Sequence, residues 1–393
     1  MSLRKYVFAA VAVGVGLLVS AGRAAAQGDI VFWNLENFFD YFDDGGSSSD
    51  SDFSSRGSRR WTKARFTKKC NMFGKSLLWI GENCCADGEP PEIVGVAEVE
   101  NGFVLSRIVN SPVLKKMNYG YVHYDSPDRR GIDVALLYRR DRVKVLSSRA
   151  VHIFRDDGTV MPTRDILYAY VEVLPCWKGS DANESFSGSV KKPVEADVAE
   201  PSRLHLLVNH HPSKFSGAKA SMRSRELAMT ALRDVCDSIA LVSDAPIVAM
   251  GDFNDTPDGA QFGLLAGRLE NLAGPLSERG EGSIRYDGRW ELIDHFLVGN
   301  MARSGCGPGV SHEGMTEEGD DDRNADKGTD DLGNGGRGAL EMSVVQVPFL
   351  MAEDRAHTGF KPLRTYVGPR YAGGVSDHCP ILLRFIESVS VHQ

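Results

Sequence analysis

The chain lacks several features that would decide its class at once. It has no apolar run beyond residue 26 long enough to span a bilayer, and no internal repeat of the kind that builds a solenoid. Basic residues are not in excess: the formal net charge is −8, so composition alone writes no broad nucleic-acid-binding face. No glycine-rich loop of the P-loop pattern occurs. The seven cysteines (Cys70, Cys84, Cys85, Cys176, Cys236, Cys306 and Cys379) are too sparse for a small disulfide scaffold and are not spaced as a zinc module. Their odd number leaves at least one unpaired. One or two disulfides in an oxidising compartment stay open, with buried thiols packed as small hydrophobes as the default.

What is present begins with a targeting signal. Arg4 and Lys5 precede an apolar run from Tyr6 to Val19, and Ala24-Ala25-Ala26 offers small residues for cleavage. Residues 1–26 therefore read as a signal peptide, and the protein as exported to the periplasm or the exterior, with an uncleaved anchor as the alternative. No membrane span is expected after its removal. Losing Arg4, Lys5 and Arg23 takes the formal charge from −8 to −11. Between Glu313 and Asp331 nine acidic and two basic residues supply −7 of this, so the rest of the mature chain is nearly balanced. Asp322-x-Asn324-x-Asp326 begins like a Ca²⁺ loop, but Gly328 falls one place late and Gly333 stands where the bidentate glutamate belongs. Residues 27–393 read as one α/β domain with flexible loops near 43–60, 179–201 and 302–341.

Apolar runs bounded by turn residues predict strands at 29–34, 93–97, 120–124, 132–138, 143–154, 166–174, 204–209, 247–251 and 291–298, and a last one after 378. Thr62 is placed to cap a helix reaching Gly81 with Phe66, Phe73, Leu77 and Ile80 inward; Asn101 is placed to cap one to Val109; Ser221–Ile239 is amphipathic.

Strand after strand ends on a polar residue. The most pointed case is Ile247–Asn254, where four apolar residues run into Gly251, a position suited to close backbone approach, and then Asp252 and Asn254 project to the same side of an extended chain. Asn34, Glu98, Asn209-His210, Asp294 and Asp377-His378 close other strands. Singly, each has the dull explanation that strand ends meet water. Together they supply carboxylate oxygens for a hard cation, two amides, and histidines with carboxylates at hand, an inventory suited to metal-assisted attack of water on a phosphate ester.

These residues lie in Phe32-Trp33-Asn34, Val96-Ala97-Glu98, Arg130–Tyr138, Val208-Asn209-His210, Gly251-Asp252-Phe253-Asn254, Leu292-Ile293-Asp294-His295 and Ser376-Asp377-His378-Cys379-Pro380. In this order they resemble the endonuclease/exonuclease/phosphatase superfamily, and Asn209–Lys214 resembles its secreted bacterial nuclease-like members. The resemblance implies a four-layer α/β sandwich of two mixed sheets flanked by helices, with the site at one edge. It implies Mg²⁺ as cofactor (Mn²⁺ or Ca²⁺ as alternatives), held by Glu98 with Asn34 beside it and Asp377 available. Asp252 and Asn254 would position the attacking water and the phosphate, and Asp294 would hold His378. His210 would contact the phosphate or protonate the leaving oxygen, with Asp133 as its orienter, while Arg164 and Asn209 would contact substrate. His211 competes with His210 for the inward position, and Lys214 is read as a surface residue. Ala97 replaces a glutamine common in the family. The function implied is a phosphodiester hydrolase, a nuclease acting on DNA or RNA. The alternatives are a lipid (sphingomyelin-type) or inositol phosphate phosphoesterase, and an exported binding protein without turnover.

Overall fold

Strands form where the apolar runs were read, and their alternation decides which layer each side chain enters. The computed structural model describes residues 28–45, 47, 49–174, 202–214, 218–300 and 339–386. The expected signal peptide, the 179–201 loop and residues 302–338 lie outside them, as do Cys176 and Cys306.

In chain order the strands are β1 (Ile30–Phe38), β2 (Ile93–Val99), β3 (Tyr119–His123), β4 (Asp133–Arg139), β5 (Val143–Val151), β6 (Ile166–Val173), β7 (Ser202–His210), β8 (Ile247–Asp252) and β9 (Glu270–Asn271). There follow β10 (Ile284–Tyr286), β11 (Arg289–Glu291), β12 (Asp294–Gly299), β13 (Ala339–Val344), β14 (Met351–Glu353), β15 (Phe360–Pro362), β16 (Tyr366–Val367), β17 (Arg370–Tyr371) and β18 (Ile381–Ile386). One six-stranded sheet has the order β13-β18-β1-β2-β4-β3 and the other β5-β6-β7-β8-β12-β9. Both are mixed, because β1–β2 and β7–β8 pair parallel and their neighbours antiparallel.

Three apolar layers separate the elements. Ile30 and Phe32 of β1 face inward and meet Val248 and Met250 of β8 and Phe296 of β12 between the sheets. Val31 and Trp33, one residue out of phase, face the other way onto Phe66, Phe73 and Leu77 of α1 (Lys63–Cys84) and Val104 and Leu105 of α2 (Gly102–Val109). Beyond the second sheet, Leu207 and Ala249 pack on Met229, Leu232 and Val235 of α3 (Ala218–Ala240). The result is the expected four-layer sandwich. Thr62 and Asn101 cap α1 and α2 by accepting from Arg65 N and Val104 N.

Some boundaries differ from expectation. The 291–298 strand is divided: Glu291 pairs with Ile284 in the β10–β11 hairpin, and β12 starts at Asp294. The 143–154 strand stops at Val151. The end of the expected 302–341 loop is strand, because Ala339–Glu341 pair with Ile386–Arg384 of β18. Around 43–60 the described residues form turns closed by hydrogen bonds, with Asp50 Oδ2 accepting from Asp44 N and Gly45 N and Trp61 N donating to Ser54 O. Cys70, Cys84, Cys85, Cys236 and Cys379 are free thiols, the first and the last two buried. Among the described residues no helix is long and apolar enough to cross a membrane.

Candidate active site

The parallel β7–β8 pair and β12 beside it bring three strand ends to one point. Asp252, the last residue of β8, stands opposite His210 on β7 and Asp294 on β12. Gly251 makes this approach possible: a Cβ there would lie 2.4 Å from Asn209 O and 2.7 Å from Asn209 Cβ. The close approach expected of this glycine is to the neighbouring strand.

Asp252 Oδ2 is the hub. It accepts from Asn34 Nδ2 at 3.0 Å, and the Nε2 atoms of His210 and His378 stand 3.6 and 3.9 Å away. Its Oδ1 accepts from Asn254 N at 2.9 Å. His378 Nδ1 lies 2.7 Å from Asp294 Oδ2, so the second carboxylate orients the imidazole toward the first. The loop carrying His378 is stitched to β1: Trp33 Nε1 donates to His378 O, and Ser376 Oγ donates to Asn34 O and accepts from His378 N.

These neighbours split the proton affinities. Burial pushes the Asp252 carboxyl up to about 7, and the Asp294 charge adds to the shift. Burial opposes a charge on His378, but the ion pair and hydrogen bond with Asp294, with Asp252 beyond, outweigh it and raise the imidazole to about 10. His210 moves well below its ordinary value through burial and the nearby Arg164 and Arg130 charges. One histidine is therefore held cationic and the other neutral.

Glu98 sits beside this group, its Oε1 3.9 Å from His210 Nε2. It closes β2 at an irregularity in the β2–β4 register and takes a left-handed φ of 61°, costly for a non-glycine residue. Glu36 and Asn37 (φ 48° and 49°) share this conformation, and their turn aims Asn37 N at Glu98 Oε2 at 2.7 Å. Burial would raise the Glu98 carboxyl, but Arg130, whose Nη2 stands 2.9 Å from Oε1, keeps it below the ordinary range. Lys69 of α1, buried over the Phe38 and Trp61 rings, donates to Glu36 O. The Glu36 carboxylate binds Arg364 Nε and Thr365 N, and Arg364 Nη2 reaches Asp377 at 3.0 Å.

The structure thus brings Asp252, Asp294, His378, His210, Glu98 and Asn34 together, with Asp377 at their edge through Arg364. Several placements correct the expectations. Of the neighbouring histidines, His210 faces the carboxylates, while His211 packs edge-on against Phe253. Asn34 spends its amide on Asp252 and on Glu36 N, which makes it a support for Asp252. Asn254 does not share a strand face with Asp252: β8 has ended, Asn254 is left-handed (φ 51°), and its Nδ2 donates to His211 O. Asn209 is fully buried, its Nδ2 on Leu207 O and Met250 O and its Oδ1 without a partner among the described residues. Both Nη atoms of buried Arg164 are taken, by Asp128 and by His211 O, so it braces the His211 main chain. Asp133 holds His123 and Ser126 N, not His210.

Glu36, Lys69, Arg364 and the Trp33–Ser376 stitching carry no signal in the sequence, because each contact depends on turns hundreds of positions apart or on backbone carbonyls. Glu98 and Asp377 each offer carboxylate oxygens, the donors a hard divalent cation takes, with His210 Nε2 3.9 Å from Glu98 Oε1. The Glu36 carboxyl, raised to about 7 by burial and the Asp377 charge, shows how strongly negative charge is concentrated there. Among the described residues, two groups of ligand atoms lie within 4.8 Å of one another and could hold a metal ion: Asp252, Asp294 and His378, and His123, Asp125 and Asp133. In the first, the shortest contact is the hydrogen bond between Asp294 and His378, the arrangement of a proton relay.

A family model described as Endonuclease/Exonuclease/phosphatase family matches residues 29–174 and 182–304. No curated protein matches the chain. Solved structures with a similar fold include an endonuclease/exonuclease/phosphatase family protein from Bacteroides thetaiotaomicron, at 11% identity, covering 93% of this chain and 99% of that one with a TM-score of 0.49. A Bacteroides thetaiotaomicron mannosyl-6-phosphatase is similar at 12% identity, 91% and 99% coverage and a TM-score of 0.47. TDP2 of D. rerio, complexed with single-strand DNA product, is similar at 14% identity, 92% and 99% coverage and a TM-score of 0.46.

Proposed function

Because this chain belongs to the endonuclease/exonuclease/phosphatase family, we propose that it is a Mg²⁺-dependent phosphodiester hydrolase, a nuclease acting on DNA or RNA. The observation that carries the reading is the convergence on Asp252 of Asn34, His210 and the His378–Asp294 pair, with Glu98 alongside.

Glu98 and Asp377 would hold the metal, with Mn²⁺ or Ca²⁺ as alternatives. When bound, the ion supplies Lewis-acid charge at a phosphoryl oxygen. The residues divide the remaining work. Asp252, with a proton affinity poised near neutrality, takes the proton of the attacking water, and Asn34 and Asn254 N fix its two oxygens. His378 carries the proton that the relay leaves on it and gives it to the departing oxygen, and Asp294 fixes the ring. His210 contributes a neutral hydrogen-bonding edge at Nε2. Carboxyl and imidazole groups whose proton affinities are pushed apart are what paired acid and base roles need. Attack by water on phosphorus requires no covalent enzyme intermediate.

Residues 1–26 suit an exported protein, which would meet nucleic acid outside the cytoplasm. The test is hydrolysis of plasmid DNA, RNA, bis-p-nitrophenyl phosphate, sphingomyelin and inositol phosphates, each with Mg²⁺ and with EDTA. Turnover of the nucleic acids and the diester in Mg²⁺, abolished by EDTA, is the expected result. Turnover of none of the five by folded protein would leave the binding-protein reading in its place.

A further inference from the structure

Two arginines flank the metal-side carboxylates in a way the reaction scheme above does not use. Arg130 Nη2 lies 2.9 Å from Glu98 Oε1, and Arg364 Nη2 lies 3.0 Å from Asp377 Oδ2. Both side chains are half-exposed, at 43% and 48%, whereas Arg164 is buried at 8% with both Nη atoms on protein acceptors. Arg364 is anchored at its base: Nε binds Glu36 Oε1 at 2.9 Å, the next residue's N–H binds Glu36 Oε2, and its own carbonyl accepts from Gly374 N. The outer end of the fork therefore projects from a fixed hinge over Asp377, which is itself one-third exposed.

An ion pair as open as Arg364–Asp377 contributes little to stability. A guanidinium held on one edge and open on the other is, in contrast, well suited to taking a phosphate oxygen. Asp377 Oδ2 also cannot serve Arg364 and a divalent cation equally well, since each draws on the same lone pairs. We propose that Arg364 is a specificity-determining residue that exchanges anions: it covers the Asp377 carboxylate until a metal takes that group, and then binds an oxygen of the substrate's phosphate. Arg130 stands toward Glu98 as Arg364 stands toward Asp377, so the same exchange on both sides would make a two-arginine clamp.

The proposal rests on the phosphoesterase reading for its ligand and makes two predictions of opposite sign. Removing the guanidinium ends competition for Asp377, so metal binds more tightly; it also removes a phosphate contact, so phosphate binds more weakly. The experiment titrates the full chain and its Arg364→Ala and Arg364→Lys variants with Mn²⁺, followed by electron paramagnetic resonance, and the Mn²⁺-loaded proteins with inorganic phosphate, followed by calorimetry. For Arg364→Ala the Mn²⁺ dissociation constant is expected to fall about two- to fivefold, the scale of a partly exposed ion pair. The phosphate dissociation constant is expected to rise about tenfold or more, the scale of a charge-assisted hydrogen bond. Arg364→Lys keeps charge without the fork and is expected to fall between.

Weaker Mn²⁺ binding in Arg364→Ala would mean a merely structural role, and unchanged phosphate binding would remove the clamp; either overturns the proposal. Neither titration needs turnover, so an enzyme inactive on every ester would sink the functional reading and leave this test standing. With turnover, KM for p-nitrophenyl phosphate and its diester should carry most of the Arg364→Ala loss. The larger KM change tells whether the clamp serves a terminal phosphate or a diester.

Discussion

Asp252→Asn is expected to lower kcat about 10³-fold, within the range that loss of a positioned general base produces. The substitution preserves shape, but its single amide oxygen can accept from only one of the two donors Asn254 N and Asn34 Nδ2, so the folded fraction of the variant is measured beside its rate. A second readout separates the role of the charge. In the metal-free protein the folded-state value of about 7 lies above the ordinary carboxyl value of 3.8, so the folded state holds the proton more tightly. This contribution to stability is present at low pH, declines as pH rises through the window from about 4 to about 7, and is gone above it. Asparagine has no such loss. The melting temperature of metal-free Asp252→Asn, measured relative to wild type, should therefore rise between pH 4 and pH 8. A flat difference would mean that Asp252 is not a buried carboxyl with a raised proton affinity.

Asp294→Asn is expected to cost about 10²- to 10⁴-fold in kcat, because it removes the partner that orients His378 and keeps it charged. It should also move both limbs of the pH profile. Asp294 raises His378 to about 10 and is the second cause, after burial, that raises Asp252 to about 7. Without it, both proton affinities fall. The alkaline limb, where His378 loses its proton, and the acid limb, where Asp252 gains one, should both shift to lower pH. Titration of the His378 ring by nuclear magnetic resonance checks the first shift directly, and the rate profile checks both. A variant with reduced kcat and an unmoved profile would show that Asp294 holds the loop without tuning the relay.

The frame of this molecule was legible from its residues for physical reasons that also mark where legibility ended. Runs such as Ile247–Met250 are buried on both faces, so apolarity alone locates β8, and the caps at Thr62 and Asn101 are local hydrogen bonds that the sequence spells out. The polar residues that close β7 and β8 and open antiparallel β12 also meet, because register in a paired sheet places strand ends side by side. Alternation failed at the ends of the strands, at Glu98 near the end of β2 and at Asn254 just beyond β8. Asn254 and Glu98 both turn left-handed, so the same-face rule that holds along β8 does not extend to Asn254. Asn209 points between strands into the space that Gly251 leaves, a partnership visible only once β7 and β8 are paired.

The longest-range errors and omissions share one cause. Arg164, Glu36 and Arg364 act through hydrogen-bond partners 47, 329 and 328 positions away, including backbone groups that any residue could supply. Residue type at such positions says that a charge is present but not which partner it will meet. Arg164 was read as facing a phosphate and instead braces the strand end that carries His210 and His211.

Manganese anomalous scattering from crystals soaked in Mn²⁺ tests the central claim most directly. The account predicts a peak about 2.1 Å from carboxylate oxygens of Glu98 and Asp377, beside the Asp252–His378–Asp294 relay. A peak confined to His123, Asp125 and Asp133, or no peak beside Glu98 in protein that hydrolyses phosphate esters, would contradict it.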